Sequence, residues 1–315
     1  MNGLLFSVSI AREERDKRKE TPGRERRSAV TKIIYLDIDG TLRDERYGIP
    51  ASAETAVQKC RREGIIIVIC TGRNPGAIQQ DVRCLETDGV ISGGGCYIEF
   101  CGKLLKDEHF QIRILADFLE FIRKHRLGAA LEAEQDIYMN ARAAEFYQED
   151  FDRKIQDESE ARRCQEENKI RYKDNFSELW KERGKIHKIC LLGSRNGIEQ
   201  VQKQFEGDTE TVQKKEWNGK WYIELLPKFC GKGYAIEFLN HYLGIRREES
   251  MSFGDGDNDI EMLKAVGTGI AVTGGSQRLL ECADAVCELP LENGIYKELV
   301  RRGIIEPDEK KERRA

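Results

Sequence analysis

"IIYLDIDGTLRDE", residues 33–45, is an apolar run that ends in two aspartates, Asp37 and Asp39, with Gly40 and Thr41 directly behind them. The stretch "KIIYLD" is short, β-branched and stopped by polar residues, so it reads as a buried strand. Its apolar residues are continuous and do not alternate, as expected of a parallel strand covered on both faces. "IIIVICTG" (65–72) has the same character and "GVISGGG" (89–95) reads as a third short strand. Between them, residues 51–63 carry helical spacing with Gly64 as a stop, and "NPGAIQQDVRCLE" (74–86) predicts a second helix. Strands and helices alternating at this interval indicate parallel βαβ units.

The rhythm breaks near residue 111 and returns at Gly231. In between, the helical pattern "QIRILADFLEFIRKH" (111–125) is followed by short alternating stretches and a very charged segment (149–174), and the charged run 145–174 as a whole reads as exposed helix faces. Strands "KIHKICLLG" (185–193), "DTETVQKKEW" (208–217) and "KWYIELLP" (220–227) follow, the last two joined by Asn218-Gly219, a strong hairpin signal. Past Gly231 come helix 233–244, strand 250–255, helix 258–267, strand 268–272 and helix 276–284. The expected fold is therefore α/β: a Rossmann-like parallel-sheet core with helices on both faces, made of residues 31–110 and 228–305, interrupted by an α+β cap domain at 111–227. Residues 1–30, briefly apolar and then almost continuously charged, read as a disordered extension; a basic interaction arm is the alternative. Residues 306–315 read as a frayed tail.

Composition narrows the function. Of 315 residues, 39% are hydrophobic and 34% charged, a globular balance, and a net charge of −4 favours neither nucleic acid nor an anionic membrane as partner. No apolar run reaches the ~18–20 residues of a membrane span. The ten cysteines contain no Cys-x-x-Cys pair, and Cys70, Cys190 and Cys230 sit in or beside apolar runs, so they read as reduced thiols of a cytoplasmic protein.

In an open parallel sheet, ligands bind beyond the carboxyl ends of the strands. Asp37 and Asp39 stand there, as do Thr71-Gly72-Arg73 and Asp255-Gly256-Asp257-Asn258-Asp259; Lys232 opens the helix before the last of these strands. Crowded carboxylates call for a hard divalent cation, for which Mg²⁺ with its oxygen ligands is suited. Such an ion also masks phosphate charge, while Thr71, Lys232 and the Gly-rich backbone hold the remaining phosphate oxygens. A carboxylate is then a competent nucleophile toward phosphorus, so Asp37 is the candidate nucleophile and Asp39 the candidate proton donor and water activator. "DGDND" (255–259) does not begin an EF-hand loop, because Ile260 and Val266 occupy the positions that need Gly and Glu.

The segments "DIDGT", "ICTGR", "GKG" and "GDGDNDIEML", in this order, resemble the four motifs of the haloacid dehalogenase superfamily, and within it the Cof-type phosphatases with a large α/β cap between the second and third motifs. The resemblance spans most of residues 31–305. It implies that Asp37 becomes phosphorylated, that Asp39 is the general acid/base and also lends a main-chain carbonyl to Mg²⁺, and that Thr71, Gly72, Lys232 and Asn258 hold the phosphate. It further implies that Asp255 joins Asp37 on the metal, with Asp259 in support. The implied substrate is a small phosphorylated metabolite such as a sugar phosphate or a phosphorylated cofactor. A phosphotransferase or mutase, and a non-catalytic phosphometabolite-binding regulator, are the alternatives. "ISGGGCYIEF" (91–100) and "AVTGGS" (271–276) depart from the usual family pattern, so the resemblance does not name the substrate. Trp217, Trp221 and Tyr222 read as hairpin packing; Glu224 stays open between substrate contact and a solvated strand face. Oligomeric state is not legible.

Overall fold

The computed structural model describes residues 30–154, 171–173, 176, 179 and 185–308; nearly all of the expected N-terminal extension and most of the charged run 145–174 lie outside them. A first stretch comprises β1 (Ile33–Leu36), α1 (Ala51–Arg62), β2 (Ile66–Cys70), α2 (Gln80–Cys84), β3 (Gly89–Ser92), β4 (Tyr97–Phe100) and β5 (Lys103–Asp107). A second comprises α3 (Ile112–His125), β6 (Gly128–Ala133), β7 (Asp136–Met139), α4 (Ala141–Lys154), β8 (Arg171–Lys173), β9 (Ile186–Gly193), α5 (Arg195–Gln204), β10 (Thr209–Trp217) and β11 (Lys220–Pro227). The third comprises α6 (Lys232–Leu243), β12 (Ser250–Gly254), α7 (Ile260–Ala265), β13 (Thr268–Val272), α8 (Gln277–Cys282), β14 (Ala285–Cys287) and α9 (Gly294–Arg301).

The first and third stretches build one eight-stranded sheet of order β14-β13-β12-β1-β2-β3-β4-β5. From β14 to β3 every pairing is parallel. β1 lies at the centre, and its side chains divide between the two faces. Ile34 and Leu36 pack with Ala56, Val57, Ile295 and Leu299 of α1 and α9. Ile33 and Tyr35 pack with Ala235, Ile236, Met262 and Leu279 of α6, α7 and α8. All four β1 residues are at most 1% exposed, and each such apolar side chain contributes about 1.5–3 kcal/mol by leaving water. This two-sided burial is why the run is continuously apolar.

The second stretch forms a six-stranded sheet of order β10-β11-β9-β6-β7-β8. All its pairings are antiparallel except β7 with β8. Asn218 and Gly219 both adopt positive φ and close the β10–β11 hairpin. One face of this sheet packs on α3 and α5 through Phe118, Ile122, Ile198 and Val201.

Three expectations change. The helix predicted over 74–86 is a 3-10 turn at Pro75–Ala77 and the short α2, separated by Ile78 and Gln79 in extended conformation. There Asn74 donates to Ala133 O (2.6 Å) and the Gly76 N–H to Glu134 O (2.7 Å), so the chain bends to meet β6 and its following turn. The stretch 97–107, outside the predicted βα rhythm, adds antiparallel β4 and β5 to the sheet edge. Finally, the start of the expected tail is docked: Lys59 Nζ stands 2.6 Å from an Asp308 carboxylate oxygen, and the Asp308 N–H donates to the Tyr296 hydroxyl (2.7 Å).

Candidate active site

The turn after β1 presents the first carboxylates. The Asp37 N–H continues the sheet by donating to Phe253 O (3.1 Å), and the chain then reverses through Arg43 N–H to Ile38 O (2.9 Å) and Gly40 N–H to Arg43 O (3.0 Å). Gly40 has φ +77°, and a Cβ there would overlap the Asp255 carboxylate. The glycine thus serves two ends, a left-handed turn and the close approach of the acidic loop after β12. Thr41 braces that approach by donating its hydroxyl to Asp255 Oδ1 (3.4 Å). Gly254 plays the matching part on the other side, since a Cβ there would fall 2.6 Å from the Asp259 side chain.

Lys232, at the first position of α6, is the pivot. Its Nζ lies 2.5 Å from Asp37 Oδ1 and 2.5 Å from Asp259 Oδ1, and all three side chains are at most 7% exposed. Asp259 Oδ2 accepts from the backbone N–H groups of Asp255 (3.1 Å) and Gly256 (3.0 Å), so both of its oxygens are engaged. Carboxylate oxygens of Asp37, Asp255 and Asp259 lie within 4.8 Å of one another. Three carboxylates against one ammonium leave an excess of negative charge in a buried place. Burial, Asp259 and Asp255 drive the Asp37 carboxyl well above its ordinary range in spite of Lys232. Burial and Asp259 push Asp255 up to about 7. Burial would lower the Lys232 pKa, but Asp259 and Asp37 outweigh it and hold the ammonium charged. An all-oxygen donor set with surplus charge fits a hard divalent cation; Asp37 and Asp255 have the oxygens to offer it, and Asp259 orients the loop.

Thr71, at the end of β2, is buried, and its Oγ1 accepts from the Arg73 N–H (3.2 Å). Asn258 Nδ2 lies 3.6 Å from where a Gly72 Cβ would stand, so Thr71, Gly72 and Asn258 meet at one edge. Asp39 reaches the rim as well, but its carboxylate is clasped by Arg73 (Nε to Oδ2 2.6 Å, Nη2 to Oδ1 2.9 Å) and by Gln79 (3.2 Å). Burial alone would raise the Asp39 pKa; the bonds from Arg73 and Gln79 overcome it and hold the carboxyl below its usual value.

The sequence reading assigned no part to Arg73, although "TGR" was in view, nor to Lys188. From β9 the Lys188 ammonium donates to the Gly72 carbonyl (3.1 Å) and lies 3.1 Å from Glu132 Oε1 and 3.8 Å from Glu224 Oε2. A lysine inside an otherwise apolar strand was the available signal. Glu224 is not on a solvated face; its side chain is 15% exposed and bonded to the Tyr222 hydroxyl. Trp217 packs edge-to-face on Phe146 and on Tyr222, as hairpin packing requires, while Trp221 points to the α3/α5 side.

Among the described residues, no helix is long and apolar enough to cross a membrane, and the cysteines are free thiols. The model of the haloacid dehalogenase-like hydrolase family matches residues 34–299. The chain is 26% identical over 280 residues to phosphatase YwpJ of Bacillus subtilis, covering 84% of this chain and 97% of that protein. It is 24% identical over 310 residues to the chloroplastic endoribonuclease YBEY of Arabidopsis thaliana, covering 94% of this chain but spanning only 50% of that protein's length. A solved haloacid dehalogenase-like hydrolase from B. subtilis shares the fold with a TM-score of 0.73 at 24% identity, over 86% of this chain and 99% of the other. With two sheets of this topology and a rim assembled from four separated motifs, the chain belongs to the haloacid dehalogenase-like hydrolases.

Proposed function

We propose that the protein is a Mg²⁺-dependent phosphatase of small phosphorylated metabolites that works through a phospho-aspartate at Asp37, in the cytoplasm. The observation that carries this is Lys232 bridging Asp37 and Asp259 at 2.5 Å each, with Asp255 within reach of both carboxylates. Lys232 occupies Asp37 Oδ1, which orients Oδ2 toward an incoming phosphorus. Bound Mg²⁺ would neutralise phosphoryl oxygens and offset the surplus carboxylate charge between Asp37 and Asp255.

Attack by Asp37 Oδ2 forms the acyl phosphate and breaks the ester P–O bond; Asp39, ionised while Arg73 holds it, takes up a proton from solvent when it leaves Arg73 for the substrate and gives that proton to the departing alkoxide. Asp39 must exchange Arg73 for that oxygen to do so. The Thr71 hydroxyl and Asn258 amide hold phosphoryl oxygens through both steps. Asp39, now a carboxylate, then takes a proton from water, which attacks phosphorus and frees Asp37. We infer that the six-stranded unit acts as a cap: Lys188 on Gly72 and Asn74 on Ala133 tie it to the motif loops, excluding bulk water from the rim.

The test is phosphate release from an aryl phosphate and from a panel of phosphorylated metabolites, with Mg²⁺ and with EDTA. Turnover is expected only with the metal, and Asp37→Asn is expected to abolish it while the circular dichroism spectrum stays native. A phosphoryl adduct on the Asp37 peptide after acid quench is the second readout. Full turnover by Asp37→Asn would remove the nucleophile assignment.

A further inference from the structure

The chain passes from the parallel sheet into the six-stranded unit at residues 108–111 and returns at 228–231. Cys96, in the turn between β3 and β4, touches both crossings. At the first, its carbonyl accepts from the Glu108 N–H (2.9 Å); at the second, its side chain packs with Cys230 and Leu226. The Cys96 thiol also stands 3.3 Å from the His187 carbonyl on β9. The backbones meet here as well, since a Cβ on Gly95 would overlap the Gly231 carbonyl. Both cysteines are buried, but Phe229, next to Cys230, is half exposed, so the pair lies directly beneath the surface. We propose that Cys96 and Cys230 are a redox pair that a hydroperoxide joins into a reversible disulfide, and that this bond locks the six-stranded unit against the rim and slows turnover. The bond itself is independent of the phosphatase reading, whereas its effect on turnover rests on that reading.

The Cys96 thiol has one proton and two acceptors beside it, the His187 carbonyl and the Cys230 sulfur. Donated to Cys230, that proton favours a thiolate there. The hydrogen bond from Cys96 holds the Cys230 thiol below its ordinary pKa in spite of burial, with Lys106 assisting, whereas burial pushes the Cys96 thiol up. Cys230 is therefore the attacking sulfur. Its thiolate takes the terminal oxygen of the hydroperoxide and breaks the O–O bond. Cys230 becomes a sulfenic acid, and the other oxygen leaves as an alcohol, or as water from hydrogen peroxide, with the proton Cys230 had released. The Cys96 sulfur then attacks the Cys230 sulfur and expels its hydroxyl, which departs as water with the Cys96 proton. Two thiols give up two electrons, and one peroxide bond accepts them. Exchange with a dithiol reverses the bond. Disulfides in reducing compartments are mostly transient ones of this sensing kind.

The consequence follows from what each cysteine is attached to. The turn that carries Cys96 is fastened to the rim: the Gly93 N–H donates to Arg73 O (2.6 Å) and the Gly94 N–H to Thr71 O (3.1 Å). Cys230 belongs to the returning crossing, where Phe229 bends the chain with a left-handed φ of +61° and Lys232 follows two residues on. A bond between them closes residues 96–230 into a ring that contains the whole six-stranded unit. A unit that lifts to admit an ester and to release phosphate has to pivot at its two crossings, so joining one of them covalently to the rim restrains the lifting.

The experiment treats the wild-type protein with hydrogen peroxide, blocks the remaining thiols with N-ethylmaleimide, and reads a non-reduced digest by mass spectrometry beside the Mg²⁺-dependent turnover of p-nitrophenyl phosphate. A peptide pair joined through Cys96 and Cys230 is expected, with turnover lower by about tenfold or more, as when opening becomes the slow step. Both changes are expected to reverse with dithiothreitol. Cys230→Ser and Cys96→Ala are expected to match the reduced wild type and to keep that turnover through the peroxide treatment. Each variant removes one end of the bond, so whichever gives a native circular dichroism spectrum serves the test. Loss of turnover to peroxide without a Cys96–Cys230 peptide pair, a pair that leaves turnover unchanged, or a folded variant that loses turnover as the wild type does, overturns the lock. A reduced wild type that leaves p-nitrophenyl phosphate intact overturns the phosphatase reading and the effect on turnover with it, while the peptide map still decides the bond.

Discussion

Asp255→Asn should make the metal-free protein more stable at neutral pH, although it removes a residue the site needs. Burial and the neighbouring Asp259, with a smaller push from Asp39, raise the Asp255 carboxyl from 3.8 to about 7 against the opposing pull of Lys232 and the Thr41 hydroxyl. The folded state therefore binds this proton more tightly than the unfolded chain does. Such a group stabilises fully below the unfolded pKa, and the contribution is lost as pH climbs through the folded one. Between pH 4 and pH 7 the shift amounts to about 3 pK steps, or about 4 kcal/mol at about 1.4 kcal/mol each. Asparagine keeps an oxygen for the Thr41 hydroxyl and carries no charge at any of these pH values. Urea unfolding in EDTA should thus give equal stability for wild type and variant near pH 4. By pH 7 the variant should lead by up to about 4 kcal/mol. Added Mg²⁺ should recover much of the difference in the wild type at pH 7 and little near pH 5, where Asp255 holds its proton. A variant that is less stable than wild type in EDTA at pH 7, or a gap that narrows as pH rises, would show that the carboxylates are not in conflict and would refute the reasoning.

Two further outcomes follow from single contacts. Gly40→Ala has to place a Cβ at φ +77° and against the Asp255 carboxylate; a loss of about 1–3 kcal/mol in urea unfolding is expected, together with weaker Mg²⁺ binding by titration calorimetry, and an unperturbed protein on both counts would contradict the turn geometry. Lys188→Met leaves Glu132 and Glu224 without their shared ammonium, and the Gly72 carbonyl without its donor. The expected cost is about 3–5 kcal/mol at pH 7, measured as the difference in urea unfolding between variant and wild type; a variant as stable as the wild type would contradict the ion-pair geometry.

The membership of Asp37, Asp255 and Lys232 in one site was legible because each sits at a boundary that local pattern marks. Asp37 follows a four-residue strand that is wholly buried, Asp255 follows β12, and Lys232 opens α6. Parallel topology then puts these ends on one rim without further information. The hairpin at Asn218-Gly219 was legible for the same kind of reason, a turn chemistry that only a few residue pairs satisfy. The helix expected over 74–86 failed because its apolar spacing ignored partners far along the chain: Asn74 and Gly76 give their hydrogen bonds to Ala133 and Glu134, so the backbone bends there.

What the amino-acid order determined by itself, then, is which segments are buried on two faces, where they stop, and which reactive groups stand at the stops, since hydrophobic period and terminating residues are local properties. Only the tertiary structure decided that Arg73 grips Asp39, that Lys188 joins Gly72 to Glu132 and Glu224, and that Gly40 yields its space to Asp255. Those pairings depend on the register and approach of elements more than thirty, and in places more than two hundred, residues apart. Charge partners of that kind leave no periodic trace in the chain, because their energy lies in a distance that exists only once both sheets have formed.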